Sequence, residues 1–487
     1  MAPAAPALAV PAGSRGLPRS SGQPPATTAP TTAVPTPRSQ LRLAMSSAGG
    51  LVSDRPGVLV AAITNQGAAA GRDVQVQIDL VGVTLRGLPH IPAKSAGPRA
   101  APPIEAGWSC RSASTTSLRC SRSELAPGEA ATVYIPVTTG PGLASAAISA
   151  TITGTEDQPD PAAQLSTTIP VAATGMAARF ATVDQGAQVS FGNTLLTCDA
   201  AAVGCADARS GATVADNGDF ALVPVDVDGD PGTSNSSAAR LDVPRGAEVL
   251  SATLYQGGDT AGGAGGSPAP DPASAGQVVV RTPLGLVVRV RPERVDRLGT
   301  RYQSVADVTD LVARNGGGTW TVGGAQVGTG SEMFGGWTIV VVYRDAGLPL
   351  RSLVVLDGLS EVTTTPQATD SFDVGGFTVA PTGSRSAAID LVVYEGDLGL
   401  TGDQLSVGGR ALSNAANPVG NSFGSSASVF GAARPGLSPA VANLFGLDLD
   451  RFDISGVLPP GSTSTRIALT TTADVYLPGV VAISVDQ

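Results

Sequence analysis

The chain has 487 residues, a net charge of −10 and a pI of about 4.7, so a nucleic-acid-binding surface is not expected. Its single histidine, His90, argues against His-based catalytic triads and multi-histidine metal sites. It has 61 Gly, 38 Pro, 4% aromatic and 42% hydrophobic residues. This composition favours a turn-rich protein with enough apolar side chains to build cores.

Residues 1–40 are dominated by Ala, Pro, Ser and Thr, and we expect them to form a disordered lead. The segment APALAVPAG resembles the tail of a signal peptide, although a charged n-region and a full apolar h-region are missing. Two explanations stay open for this remnant: the true start lies upstream, or the chain is a mature form with an added Met.

Residues 41–175 contain short, alternating apolar runs separated by turn residues, namely LRLAMS, GVLVAAITNQG, DVQVQIDL, ATVYIPVTT, AAISATITG and STTIPVAA. Runs of this length rich in Val, Ile and Thr are typical of strands. At least six of them within one domain-sized segment predict an immunoglobulin-like β-sandwich.

Three short segments in this region carry a resemblance: Asn65-Gln66-Gly67, Trp108-Ser109-Cys110 and Leu125-Ala126-Pro127-Gly128. Together they resemble the conserved-repeat immunoglobulin-like domains of unknown function found on bacterial cell surfaces. The resemblance covers about a quarter of the chain. It implies a stalk or spacer module with no catalytic residues.

The four cysteines form two close pairs, Cys110/Cys120 and Cys198/Cys205. Neither spacing is a CxxC zinc or redox motif. We predict two local disulfides, which indicate an oxidising compartment. The alternative is four reduced, buried thiols.

From residue 178 the strands become longer and the loops richer in Gly and Asp. Paired segments predict an internal duplication: LSATLYQGGD matches IDLVVYEGD, VADVTDLVARNGGGTWTVGG matches RFDISGVLPPGSTSTRIALT, and GGWTIVVVYRD matches LPGVVAISVDQ. We therefore predict two related, jelly-roll-like β-sandwiches, 178–358 and 359–487, lying side by side. Within them, the apolar run from Trp337 to Tyr343 predicts a central strand buried on both faces.

This second part resembles large β-rich regions of secreted, repeat-containing bacterial surface proteins. The segments that carry the resemblance are a DVD-type loop, GGWTIVVVY and DLDRFDISG. The resemblance covers about 60% of the chain and implies a surface or secreted protein with an adhesive or structural role.

The acidic ladder Asp226, Asp228 and Asp230 lies in VPVDVDGDPGTSNSS. Alternate residues of a strand project to one face, and calcium takes six to eight oxygen ligands of this kind. Pro231 at the sixth position and the lack of a closing Glu exclude an EF-hand. Two interpretations stay open: a non-EF calcium loop, or carboxylates that cap turn amides.

A second acidic group, Asp448, Asp450 and Asp453, alternates with apolar residues, which predicts a strand with its acids outward. Metal binding and pairing with Arg451 are the two uses considered for it. Core packing is the expected role of the aromatic residues in strand patterns: Trp320, Trp337, Tyr255, Tyr343 and Tyr394.

These observations predict a secreted or cell-surface, all-β protein with a structural or adhesive role and no catalysis. Its sandwich loops would bind a protein or glycan partner, with calcium as an optional stiffener and self-association as an alternative. No sorting motif or apolar span of about 20 residues occurs, so we expect no transmembrane segment and an anchor that is non-covalent or part of a longer parent. Two other functions stay open: a carbohydrate-binding module, and a glycan hydrolase or lyase using a carboxylate pair from Glu332, Glu395 and Asp397.

Overall fold

The computed structural model describes residues 36–87, 107–155, 163–365, 368–382 and 385–487. Most of the predicted lead, together with His90, lies outside these residues. Strands dominate the described chain, so the all-β prediction is confirmed. None of the helices in these ranges is long and apolar enough to cross a membrane.

The N-terminal sandwich consists of ten strands: β1 (Leu41–Ser47), β2 (Leu51–Val52), β3 (Pro56–Asn65), β4 (Gly71–Val81), β5 (Val83–Leu85), β6 (Ser109–Ser114), β7 (Ser117–Leu125), β8 (Ala130–Thr139), β9 (Ser145–Thr155) and β10 (Gln164–Ala172). They form two sheets with the orders β1-β3-β8-β5 and β2-β10-β9-β4-β7-β6. A single apolar core fills the space between the sheets and includes Trp108.

Two of the three segments that carry the immunoglobulin-like resemblance, those at Asn65 and at Leu125, contact each other. The buried side chain of Asn65 donates to the carbonyl of Leu125 (3.0 Å) and accepts from the N–H groups of Gln40 and Gly67. The N–H of Gly128 donates to the Asn65 carbonyl (2.8 Å). An Asn at this position therefore satisfies backbone groups of two turns at once.

The first jelly roll follows, with eleven strands and two short helices: β11 (Ala177–Thr194), β12 (Leu196–Cys198), α1 (Cys205–Ser210), β13 (Leu222–Pro224), β14 (Ser236–Leu241), β15 (Glu248–Asp259), β16 (Val278–Arg281), β17 (Val287–Val290), β18 (Arg294–Leu298), β19 (Arg301–Asp307), α2 (Thr309–Asn315), β20 (Gly318–Gly323) and β21 (Gly335–Arg344). A single 3₁₀ turn covers Pro272–Ser274.

The C-terminal part of the chain, which forms the second jelly roll, contains the remaining strands: β22 (Leu350–Asp357), β23 (Thr369–Gly375), β24 (Ala387–Tyr394), β25 (Gln404–Val407), β26 (Arg410–Ala411), β27 (Ala427–Val429), β28 (Ala432–Ala433), β29 (Leu437–Ser438), β30 (Leu447–Asp453), β31 (Ser464–Thr470) and β32 (Leu477–Asp486). Of these, β29 pairs with β14 of the first jelly roll.

The two jelly rolls share one connectivity. In the first, the sheets run β11-β21-β15-β19 and β14-β20-β16-β17; in the second, they run β22-β32-β24-β30 and β23-β31-β25-β26. When the eight strands just named for each jelly roll are numbered from one to eight in chain order, both jelly rolls show the strand orders 1-8-3-6 and 2-7-4-5. Eight strands in two sheets of this kind form a jelly roll. The topology therefore agrees with the duplication predicted from sequence.

The jelly rolls stack face to face, which corrects the side-by-side arrangement expected from sequence. The first half of β11 pairs with β22, and its second half pairs with β21. The two sheet sections joined in this way enclose a shared core that includes Tyr255, Phe334, Val392, Tyr394 and Leu447. Because β21 and β32 have a core on each face, both are buried along nearly their whole length.

The duplicated Tyr-x-Gly segments each place a tyrosine in the core between the jelly rolls, Tyr255 and Tyr394. A Cβ on Gly257 would lie 2.5 Å from the ring of Tyr394 in the other jelly roll, and one on Gly396 would lie 2.7 Å from Oδ2 of Asp448 in its own. Only glycine leaves room for such contacts. The close approach between the layers is therefore made by Gly257.

The N-terminal sandwich packs against the jelly rolls through buried polar and apolar contacts. The hydroxyl of Tyr134 donates to the carbonyl of Gly376 (2.6 Å). Arg55 pairs with Asp296 (2.7 Å), whose neighbour Arg294 pairs with Asp357 (2.7 Å). Buried ion pairs with good geometry fix the relative position of the elements that supply them.

Both predicted disulfides are present, Cys110–Cys120 and Cys198–Cys205, and the described chain has no free cysteine. The first joins directly paired residues of β6 and β7, and the second ties β12 to the start of α1. The predicted domain limits at 41–175, 178–358 and 359–487 stay predictions. In the sheet order, β22 occupies the position in the second jelly roll that β11 occupies in the first.

Candidate functional site

The acidic ladder lies in the exposed connection between β13 and β14. The carboxylate of Asp226 accepts from the N–H of Gly229 and the hydroxyl of Ser236, and these bonds lower its pKa. Asp228 and Asp230 likewise accept from N–H groups of their own loop. Each carboxylate thus caps a turn, and the calcium prediction at this loop stays a prediction.

The second acidic group differs from expectation. Asp448 and Asp450 are 1% exposed. The N–H of Ser426 donates to Asp448, and the hydroxyl groups of Ser426 and Ser428 donate to Asp450. Arg451 pairs with Asp390 (2.6 Å) rather than with its acidic neighbours. The predicted outward orientation is therefore wrong for Asp448 and Asp450, whereas Asp453 is exposed as expected.

A third acidic group assembles at one end of the jelly-roll pair, which we call the loop end. We define the carboxylate cluster as five residues from four loops: Asp216, Glu332, Glu395, Asp397 and Asp474. These loops lie between α1 and β13, before β21, after β24 and before β32. Two come from each jelly roll, so the cluster exists only where both rolls meet.

Backbone hydrogen bonds hold these loops together. The N–H of Gly399 donates to Oδ1 of Asp216 (2.6 Å), and the N–H of Glu332 donates to the carbonyl of Asn217 (3.2 Å). The N–H of Asp397 donates to the carboxylate of Asp474 (3.4 Å). Asp397 and Asp474 are thus buried within the loop connections, whereas Glu332 is exposed.

Burial and mutual repulsion shift the ionisation of the cluster. Burial raises the pKa of Asp397 to about 7, and repulsion from Asp216 and Glu332 adds to this. Burial raises the pKa of Asp474 to about 8, with Asp397 as the next cause. The pKa of Glu395 is also raised well above its usual range by burial, then by Asp397 and Asp474. Such groups at one place mark a candidate functional site.

Positive charge near the cluster is scarce. Arg301 opposes the rise in the pKa of Glu395, but its guanidinium also pairs with Glu361. Several buried polar atoms nearby have no hydrogen-bond partner in the structure: Oδ1 of Asp397 and both amide atoms of Asn217. Since buried polar groups are normally paired, these atoms call for an explanation.

Part of this site was predicted from the sequence. Glu332, Glu395 and Asp397 entered as members of a hydrolase pair, and the structure brings them together through the couplings described above. Asp216 and Asp474 were not singled out. The duplication could have identified Asp474, because Asp474 precedes β32 just as Glu332 precedes β21, the equivalent strand of the first jelly roll.

Three exposed aliphatic side chains lie on loops of the cluster or on a loop bonded to them. We define the loop-end patch as Val214, Leu400 and Val419, which are 71%, 43% and 72% exposed. Their loops are joined by the Asp216–Gly399 bond and by a bond from the N–H of Gly402 to the carbonyl of Gly420 (2.6 Å). Exposed apolar groups held together in this way are a feature of interaction sites.

A shallow polar groove crosses β4, β7 and β9 of the N-terminal sandwich. Its side chains pair with one another: Arg119 donates to Gln77 (3.1 Å), Gln77 to Ser117 (2.8 Å), and Ser117 to Asp79 (2.7 Å). These bonds satisfy the groove without a ligand. The predicted core aromatics offer no sugar-stacking surface either, because Trp320, Trp337, Tyr255, Tyr343 and Tyr394 are all buried, as expected.

No protein-family model matches this sequence, and no curated protein matches it. Solved structures that share some likeness include BspA_C_mut (8% identity, 66% of this chain, 93% of that chain, TM-score 0.15). They also include serine-rich repeat protein Srr2 from Streptococcus agalactiae (11%, 66%, 89%, TM-score 0.17). Native alpha-2-macroglobulin from Escherichia coli, from domain MG7 to the C-terminus, is a third (12%, 91%, 95%, TM-score 0.18). At these TM-scores the likenesses carry no weight in assigning fold or function.

Proposed function

We propose that this chain works outside the cell, at a cell surface, as a structural or adhesive protein that binds a partner through the loop end, without catalysis. Two disulfides support an oxidising compartment. The acidic composition, with 40 Asp and Glu against 30 Lys and Arg, supports a partner other than nucleic acid.

The loop-end patch is the observation that carries this proposal. Val214, Leu400 and Val419 leave apolar surface in water on loops that hydrogen bonds hold in place. Such a patch with a polar rim suits a macromolecular partner. Aliphatic groups favour a protein over a glycan, since sugar rings are bound by stacking on exposed aromatics, and the strand aromatics named above are buried.

The rest of the molecule supports such a role by holding the loop end rigidly. The shared core between the jelly rolls contains large side chains that are almost completely buried, among them Tyr255 and Tyr394. The N-terminal sandwich is locked to the same body through Tyr134 and the Arg55–Asp296 pair. Preorganised loops lose less entropy on binding than flexible ones.

The test is to present the full chain to arrays of purified extracellular matrix proteins, bacterial surface proteins and glycans. We expect saturable binding to at least one protein, and a monomeric elution volume on size-exclusion chromatography at the same concentration. Saturable binding to glycans alone would replace the proposal with a carbohydrate-binding module. Concentration-dependent assembly without any partner would replace it with a self-associating surface subunit.

A second candidate function is glycan hydrolysis, which one observation favours. Glycosidases use two carboxyl groups, one of them protonated near neutral pH, and Glu332 and Glu395 are held close to Asp397, whose pKa is raised to about 7. Incubation with a panel of polysaccharides, followed by a reducing-end assay, tests this function. Release of reducing ends that Glu395→Gln abolishes would establish it; no release from any substrate supports the non-catalytic proposal.

A further inference from the structure

The carboxylate cluster buries several carboxyl groups with little positive charge beside them. Asp397 and Asp474 are 6% and 1% exposed, and Arg301 divides its charge between Glu395 and Glu361. Burying carboxylates without a partner is costly, and proteins balance such groups with a paired cation or a bound metal ion.

Asn217 supplies a second and independent observation. Its side chain is 1% exposed, and neither its amide oxygen nor its amide nitrogen has a hydrogen-bond partner in the structure. Its carbonyl accepts from the N–H of Glu332 (3.2 Å), and the preceding residue, Asp216, accepts from the N–H of Gly399, two residues after Asp397. Its amide nitrogen and the Cα of Glu395 would both lie within 4 Å of a Cβ on Gly446, so the side chain lies at the loop of the cluster that carries Glu395 and Asp397. Oδ1 of Asp397 is likewise buried and unpaired.

We propose that Asp397, Asn217 and Glu332 are ligands of a calcium ion at the loop end. A carboxylate oxygen of Asp397 and the amide oxygen of Asn217 are buried and unpaired, as ligand atoms would be before a cation binds. The carboxylate of Glu332 lies against Gly218, the residue after Asn217. Its exposed position provides the side from which an ion can enter.

The ligand chemistry selects calcium among the common metals. Every candidate ligand atom is an oxygen, and both cysteine pairs form disulfides, so a zinc site of His and Cys is not expected here. No group of three or more His, Cys, Asp or Glu side chains in the described ranges is arranged to hold a metal. The candidate ligands of the proposed site combine carboxylate and amide oxygens, a mixture that calcium accepts more readily than magnesium.

This proposal is independent of the proposed function and differs from the calcium prediction made for Asp226, Asp228 and Asp230. The Asp226–Asp230 ladder is exposed, and its carboxylates accept hydrogen bonds from their own turn. The two acidic sites therefore provide matched variants: Asp397→Asn in the cluster and Asp228→Asn in the ladder.

The experiment measures the melting temperature and the heat of calcium binding for the full chain at pH 7.5, after removal of metal with EDTA. Calcium is titrated to about 10 mM, above the dissociation constants of roughly 10⁻⁴–10⁻³ M usual in extracellular modules. We expect one ion per chain and a melting temperature that rises by several degrees. Magnesium at the same concentration serves as the control cation.

The variants separate the sites. Asp397→Asn should melt higher than wild type in EDTA, because it removes a repelled charge, and it should lose the calcium response. Asn217→Ala should weaken calcium binding at least tenfold without changing the charge, whereas Asp228→Asn should respond as wild type does. No calcium response in wild type would overturn the proposal. So would a response retained in Asp397→Asn and lost in Asp228→Asn.

Discussion

The backbone N–H of Gly399 donates a hydrogen bond of 2.6 Å to Oδ1 of Asp216, a residue 183 positions earlier in the chain. Gly399 follows β24 in the second jelly roll, whereas Asp216 lies between α1 and β13 in the first. This bond joins a loop that carries Val214 to a loop that carries Leu400. The loop end is therefore a joint product of both jelly rolls.

Asp216→Ala removes the acceptor of this bond and should loosen both loops. We expect the free energy of local opening to fall by about 1 kcal/mol, the usual net value of one hydrogen bond. Hydrogen exchange should accelerate at 212–219 and 396–402, while protection in β21 and β32 stays unchanged. Unchanged exchange in both loops would show that the bond does not hold them.

Gly257→Ala should destabilise the packing between the jelly rolls. Its methyl group would lie 2.5 Å from the Tyr394 ring, and overpacking of a core typically costs about 1–3 kcal/mol. Denaturant unfolding measures the loss. Gly456→Ala is the control: no atom lies within 4 Å of its new methyl group, so the expected change is within about 0.5 kcal/mol. Equal effects of the two substitutions would contradict the face-to-face packing.

Asp357→Ala should be strongly destabilising, because it removes the carboxylate that pairs with Arg294 at 2.7 Å in a buried network and leaves that guanidinium with Asp296 alone. Breaking one side of a buried ion pair costs about 3–5 kcal/mol. Asp242→Ala provides the contrast. Its partner Arg240 is also 2.7 Å away, but the two side chains are 64% and 57% exposed, and exposed pairs contribute at most about 1 kcal/mol. Urea unfolding of both variants should give clearly different midpoints.

Asp450 should make the protein more stable in mild acid. Burial raises its pKa to about 6, whereas the unfolded value is about 3.9. Between these values the folded state holds a proton that the unfolded state has released. The free energy of unfolding therefore rises as the pH falls through about 6 and levels off below about 4.

The contribution of Asp450 is isolated by comparing wild type with Asp450→Asn in the same buffers. The variant carries no titrating group at this position, so its unfolding free energy should change less with pH over this range. An identical pH dependence of the two proteins would contradict the buried, proton-binding state of Asp450.

Local sequence patterns predicted the strands and the duplication, but they did not predict how the layers stack. The apolar run from Trp337 to Tyr343 predicted burial on both faces. In the structure, each face of β21 contributes side chains to a different core, because a sheet covers it on each side. The run itself does not indicate which sheet covers each face. The stacking depends on β11, whose 18 residues pair first with β22 and then with β21. Such long-range pairing cannot be recognised from a local sequence pattern.

The complete carboxylate cluster was not predicted from the sequence, for a similar reason. Asp216 and Asp474 are far apart in sequence, and each taken alone resembles an ordinary loop acid. Sequence reasoning favoured the ladder at Asp226 because its acids are adjacent in the chain, although hydrogen bonds within the loop engage them. Likewise, the alternation around Asp448 predicted an exposed face, but Asp448 and Asp450 are buried and accept hydrogen bonds from Ser426 and Ser428.

The loop-end patch is tested most directly by the affinity of two matched triple variants for a partner identified on the arrays. One variant replaces Val214, Leu400 and Val419 with serine; the other replaces Leu284, Leu286 and Val287, which are equally exposed at the β16–β17 hairpin. We predict that the first variant binds at least tenfold more weakly and the second as wild type does. Unchanged affinity in the first variant, or a loss confined to the second, would contradict binding through the loop end.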